Sequence, residues 1–391
     1  MKSKSKILLV ALVFSAYFCS YQGVGLVTIV DMKGSKMAYF NLNELSTDIA
    51  TIPLSSLVED CMLVQLESIG SAYVGHGDIT VTKKFIGISQ FDAPYKLFDL
   101  SGKFLRNIGA IGRGPGEWSV GEPYDAIIDD KNELIYFSLF MSDKILVYST
   151  SGQFMKELVT PHKIQKPKMF LTDDILTVAH IPLPNDRAIA FQFDVNTGKI
   201  LKELAPPAHL VIPDLRSELI SSRNVQGVFD LHYTSVDTLY HFDLKNNRLL
   251  PAISMSYFSN ERVMKRYSQL NQNMFLANVL TFVPNMGNRG VFRGDVPVAT
   301  DITFKTSTRI NVVNDFFGSI SSPITAIRNG YFVFNIQPEE LIEEIERRLA
   351  QSNCTESDRK ILTKTLSNIE KGTNNVVFIG KLKSETKTKL W

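Results

Sequence analysis

The chain has 391 residues, of which 44% are hydrophobic and 10% aromatic, enough to bury a sizeable core. Its formal charge is only +2, with acids and bases interspersed, which removes the electrostatic footprint that nucleic-acid binding needs. Three cysteines cannot frame a disulfide-stapled fold, and no linker or low-complexity run divides the chain.

Residues 1–20 read as an export signal: Lys2, Lys4 and Lys6 precede an apolar run from Ile7 to Phe18 that is short for a membrane span. Cys19 stands where a bacterial lipoprotein carries its diacylglyceryl group and is the lipidation candidate. The bulky Tyr17-Phe18 pair before it departs from the small residues that lipoprotein processing favours, so cleavage nearby without lipidation and an uncleaved anchor are the other readings. Residues 21–47 are then an extension preceding the main domain, assigned to 48–383, with a polar tail over 384–391.

Within that domain a short phrase recurs. It runs Leu97-Phe98-Asp99-Leu100-Ser101-Gly102-Lys103-Phe104, returns at Val147 to Phe154 and at Gln192 to Ile200, and appears in worn form at His241 to Leu249. The anchors Phe98, Tyr148, Phe193 and Phe242 are spaced by 50, 45 and 49 residues, a period that belongs to repeat architectures. Alternating apolar and polar residues flank Ser-Gly, Thr-Gly or Asn-Asn pairs, which supply the positive backbone angles of tight hairpin turns. A second hairpin precedes each one, as in Asp125 to Asp129 followed by Glu133 to Ser138. Four antiparallel strands per period make one β-propeller blade, and no blade buries both faces alone. The expected fold is all-β, with ring closure between Ile49–Leu54 and Val376–Leu382.

One segment breaks the β pattern. Residues 338–350 place Leu341, Ile342, Ile345 and Leu349 on one helical face, and residues 356–370 do the same with Ile361, Leu362, Leu366 and Ile369. A helical hairpin over 338–371, inserted between strands of the last blade, is expected.

The loop Gly112-Arg113-Gly114-Pro115-Gly116-Glu117-Trp118 is rich in glycine, but Glu117 stands where a dinucleotide fingerprint needs glycine and no helix follows. Its Arg113, Glu117 and Trp118 combine charges with an aromatic ring on a loop and are the ligand-binding candidates. No HExxH or GxSxG pattern occurs, so no catalytic residue is assigned.

This loop, together with Thr47 to Ser55, Lys96 to Leu105 and Asp237-Thr238-Leu239-Tyr240, resembles six-bladed β-propeller proteins of the Bacteroidetes cell envelope, whose repeats are related to the NHL type. The resemblance implies six four-stranded blades and an exported protein, periplasmic or associated with the outer membrane. Propeller lactonases hold calcium in the central channel, and by that likeness Glu117, Asp125, Asn185 and Asn224 are the weak metal candidates here, with no other cofactor expected. The functional reading is a monomeric binding or scaffolding module for a glycan, a peptide or an envelope protein, touching membrane only through a lipid anchor. The alternative is a channel-centred enzyme, a metal-dependent hydrolase of the lactonase kind or a glycan-processing enzyme.

Overall fold

The computed structural model describes residues 26–31, 36–75, 77–119, 123–213, 216–256, 263–284, 290–294 and 297–385. The export signal and Cys19 lie outside the described residues. The strands form six sheets, numbered here in chain order from the innermost strand of each. Sheet one comprises Asp78–Val81, Phe85–Ser89, Tyr95–Asp99 and Phe104–Ile108; sheet two Asp125–Asp129, Leu134–Ser138, Ser142–Ser149 and Phe154–Ile164. Sheet three comprises Lys168–Thr172, Ile175–Ala179, Ala190–Asp194 and Ile200–Leu204. Each is a plain antiparallel meander, so the fold is a β-propeller of small sheets.

The recurring phrase is the third-to-fourth-strand hairpin of sheets one to four. Only the second residue of each turn pair takes a positive φ: Gly102 at 87°, Gly152 at 91°, Gly198 at 70° and Asn247 at 52°. In sheets one to three the glycine opens a bulge rather than a symmetric two-residue turn, as the register shifts at Leu97/Phe98, Val147/Tyr148 and Gln192/Phe193 record; in sheet four the pairing stays regular up to Asp243 and Arg248. In sheet one the turn is locked by Asp99 Oδ1, which accepts from the Ser101 and Lys103 amides at 2.9 and 3.1 Å.

Period-two alternation explains the ring. Phe98 packs with Val333 and Val377 of sheet six, whereas its neighbour Leu97 packs with Phe137 and Tyr148 of sheet two. Tyr148 faces back to sheet one and Val147 faces forward to sheet three. Phe193 and Phe242 likewise face the preceding sheet. Both faces of each third strand are buried, each large side chain contributing about 1.5–3 kcal/mol of burial, so every sheet requires two neighbours.

The expectation of six equal four-stranded blades is corrected in two ways. Five sheets begin with a complete inner strand, but the sixth begins with only Ile327–Arg328, so the propeller has five complete blades rather than six. The cause is Pro323, which offers no N–H to a ladder and instead opens a 3₁₀ turn over Ile324–Ala326. The remainder of sheet six is Tyr331–Ile336, Val376–Lys381 and Met62–Gln65. Sheets four and five are also larger than four strands. Sheet four (Leu219–Ser222, Asp230–Tyr233, Thr238–Asp243, Arg248–Ser256) gains Lys36–Asn41 in parallel and then Val27–Asp31. The described strands of the extension expected over 21–47, Val27–Asp31 and Lys36–Asn41, are thus built into this sheet, with Ala38, Phe40 and Leu42 buried.

Ring closure differs from expectation as well. Ile49–Pro53 runs parallel to Ser307–Asn314 on the outer edge of sheet five, which also contains Val263–Asn271, Met274–Pro284 and Val298–Asp301. It is Met62–Gln65 that pairs with Val376–Lys381 and supplies the fourth strand of sheet six. Helices α1 (Pro338–Leu349) and α2 (Glu356–Leu366) sit between the second and third strands of sheet six. Leu341, Ile345 and Leu362 pack with Ile310 and Val312 of sheet five and Phe378 of sheet six. Cys61 and Cys354 are free thiols, and burial pushes the Cys61 pKa up to about 12, leaving it inert.

Candidate functional site

The inner strands enter the central channel from the same end, so the residues at their starts share one mouth. Asp78, Asp125 and Lys168 are the first residues of their strands; Glu218 immediately precedes Leu219–Ser222, and Arg266 and Arg328 lie on the inner strands of sheets five and six. Each sheet therefore contributes one charged side chain. Asp78, Tyr124, Lys168, Glu218, Arg266 and Arg328 line a cavity of about 410 Å³ at this mouth.

The acids there are held by partners. Arg328 donates to Asp78, and Lys166 Nζ and the Tyr124 hydroxyl, the latter at 2.7 Å, both donate to Glu218. Asp125 accepts the Met169 amide at 2.7 Å and lies 3.6 Å from Arg223 Nη2. Burial alone would raise the Asp78 pKa, but the Arg328 guanidinium, with a contribution from Lys168, outweighs it and holds the carboxyl below its ordinary range. Tyr124 is shifted upward, first by burial and then by Glu218, so it remains a neutral donor.

The bases are less committed. Lys168 Nζ makes a 3.3 Å contact with the Tyr124 carbonyl and sits 4.8 Å above the Tyr124 ring. Arg266 is exposed to the cavity and donates no hydrogen bond to a described residue; burial lowers its pKa while Glu218 opposes the shift. Arg223, just past the inner strand of sheet four, donates to Asn329 Oδ1 at 2.9 Å and to the Met169 carbonyl at 2.8 Å.

The residues singled out from sequence are placed elsewhere, with one exception. Arg113 and Glu117 are exposed on the crossing from sheet one to sheet two, where Glu117 Oε2 accepts the Gly114 amide at 2.7 Å. Trp118 is 4% exposed and packs 5.7 Å from Phe137, so its indole is a core element and not a surface platform. Asp125 is at the channel, and Asn224 lies nearby, donating to the Gln269 carbonyl and accepting from Gly330. Glu117 and Asn185 do not line the mouth cavity, so the four weak metal candidates are not gathered there. The mouth set escaped sequence reading because its members are tens of residues apart with no local motif. The available signal was a charged residue opening the inner strand of the first three repeats, Asp78, Asp125 and Lys168.

Fold and channel together define a β-propeller protein with a charged mouth. The chain belongs to the family described as Domain of unknown function (DUF4934), whose model matches residues 39–381. No curated protein matches it significantly. It is similar in structure to a Bacteroides fragilis protein described as a candidate exported protein, at 14% identity and a TM-score of 0.58, covering 88% of this chain and 99% of that one. It is also similar to a member of the DUF4221 family from Bacteroides vulgatus, at 11% identity and a TM-score of 0.48, over 84% and 98% of the two chains. At 14% identity the likeness to the Bacteroides fragilis protein concerns the fold alone.

Proposed function

We propose that this protein is an exported, monomeric binding module of the cell envelope that receives an acidic glycan at the channel mouth. The observation that carries this reading is Arg266, a guanidinium facing the cavity beside Lys168 whose side chain donates to no described residue. A guanidinium so placed suits a carboxylate. Asp78, Glu218 and Ser221 around it offer acceptors and a hydroxyl to sugar hydroxyls. Binding is favoured over hydrolysis because the mouth acids sit beside cations: Asp78 is held ionised and cannot serve as the general acid that glycoside cleavage requires. The export signal and the exported-protein description of the structural neighbour support an envelope location, with Cys19 as the anchor point.

The test is titration calorimetry with a carboxylated oligosaccharide, its neutral counterpart and an acidic peptide, on the wild type and Arg266→Gln. The carboxylated sugar binds, the neutral one binds at least about tenfold more weakly, and the substitution removes the difference. Equal affinity for both sugars, or binding of the peptide alone, overturns the assignment.

A further inference from the structure

Away from the channel, two histidines and an aspartate meet where sheets two and three adjoin. His162 lies near the end of Phe154–Ile164, the outermost strand of sheet two. His180 follows Ile175–Ala179, and Asp186 sits in the connection to Ala190–Asp194 of sheet three. One donor atom from each lies within 4.8 Å of the other two. His162 Nε2 is 3.8 Å from Asp186 Oδ1 and, though buried, has no hydrogen-bond partner among the described residues. The other Asp186 oxygen accepts the Leu183 amide at 2.7 Å, which leaves Oδ1 directed at the histidines.

His180 makes the arrangement informative. Its side chain is fully buried and its ring lies nearly parallel to Phe191, at 8°. Nδ1 is 3.0 Å from the Ile181 carbonyl oxygen and Nε2 is 2.8 Å from that of Ala188. A neutral imidazole carries one N–H, so one of these two approaches sets a nitrogen lone pair against a carbonyl oxygen with no proton between them. A second proton would resolve the conflict only by placing a charged ring in a fully buried position. A divalent cation resolves it differently, drawing on the lone pair and the carbonyl while the opposite N–H donates to backbone, the usual outer arrangement of a metal-ligating histidine.

We propose that His162, His180 and Asp186 form a zinc site that fastens sheet two to sheet three. Two imidazoles and a carboxylate suit Zn²⁺, whereas Ca²⁺ and Mg²⁺ prefer oxygen donors throughout. The donors must close by roughly 1 Å to reach bonds of about 2.1 Å, a change within reach of side-chain torsions.

The experiment uses the purified protein stripped with EDTA and titrated with ZnCl₂ by calorimetry, with thermal unfolding in parallel. One Zn²⁺ binds per chain with a Kd below about 1 µM, and about 50 µM zinc raises the Tm by about 3 °C or more, while CaCl₂ does neither. His162→Gln and Asp186→Asn each weaken binding at least about tenfold, and His209→Gln, outside the cluster, leaves it unchanged. Both positions tested are partly exposed, and circular dichroism of the zinc-free variants verifies that they fold. Absence of binding below about 100 µM, or binding that survives both substitutions, overturns the site. So does a ¹⁵N spectrum showing His180 doubly protonated at pH 7 in the zinc-free protein.

Discussion

Arg223 Nε donates to Oδ1 of Asn329 at 2.9 Å, joining the strand end of sheet four to the turn that follows the inner strand of sheet six. The next residue repeats the grip, Asn224 Oδ1 accepting the Gly330 amide at 3.1 Å. Asn329 and Gly330 both have positive φ, at 53° and 84°, the combination a type I′ hairpin turn demands. Because sheet six has a two-residue inner strand, these contacts do for it what ladder hydrogen bonds do elsewhere.

Arg223→Ala therefore removes bonds to Asn329 and the Met169 carbonyl and withdraws the cation from Asp125. The expected loss is about 2–4 kcal/mol in denaturant unfolding. Arg223→Lys keeps the charge but not the planar fork and falls between the two. A loss under about 0.5 kcal/mol for the alanine variant refutes the bracing role.

Trp118 offers a decisive contrast between core and platform. Gly109, at φ 71°, lies against its ring: a Cβ there would fall 2.2 Å from Trp118 Cζ3. Trp118→Ala is expected to cost about 3–5 kcal/mol, as truncation of a buried aromatic does. An exposed ligand platform would lose no more than about 0.5 kcal/mol, so a calorimetric melt of this one variant separates the roles.

Acid sensitivity is written into the second strand of sheet four. His232 is fully buried with neither ring nitrogen bonded to a described residue, and burial, helped by Lys265 and Arg266, lowers its pKa to about 3. Its ring packs 4.6 Å from Tyr267. The folded state thus refuses a proton that the unfolded chain accepts below pH 6.5, and stability falls as the pH drops from there, by about 1.4 kcal/mol per unit. Asp230, two residues earlier, acts in the opposite sense, since burial raises its pKa to about 7 and folding takes up its proton. Subtraction isolates the histidine: His232→Phe unfolds in urea with a shallower loss between pH 6.5 and 4.5 than the wild type. Parallel curves would refute the assignment.

Beside its apolar packing, the helical insertion is tied together by a buried cation. Arg348 donates to the Gly318 carbonyl at 3.2 Å, to Gln351 and Asn353 at 2.9 and 2.8 Å, and to Asp358 of α2 at 3.0 Å. Its guanidinium is about nine-tenths buried. Arg348→Ala leaves Asp358 without this partner and is expected to cost about 2–4 kcal/mol. Hydrogen exchange should accelerate over 338–366 before it does in sheets one to three. Uniform acceleration across the chain would show that the hairpin has no separate stability.

Much of the architecture was legible because hairpins are local. The turn phrase with its Gly102, Gly152 and Gly198, and the period-two alternation around Phe98 and Tyr148, encode strand pairing within ten residues of chain. The helices were legible for the same reason, their apolar stripes and the N-terminal Pro338 being properties of a single segment. Pro323 interrupts the pattern where sheet six should begin, and its effect on the blade count depends on a strand that fails to form. The closing strand was misplaced because Ile49–Pro53 and Met62–Gln65 both read as short strands; which edge each joins depends on partners about 260 and 310 residues away.

By itself, the order of residues determined repeated antiparallel hairpins and an inserted helical pair, since turn geometry and side-chain alternation are settled between near neighbours. Only the tertiary structure decided that Asp78, Lys168, Glu218, Arg266 and Arg328 share one mouth and that His162 meets His180 and Asp186. Those meetings are set by how sheets stack around an axis, and charges brought together in that way leave no spacing in the chain to be read.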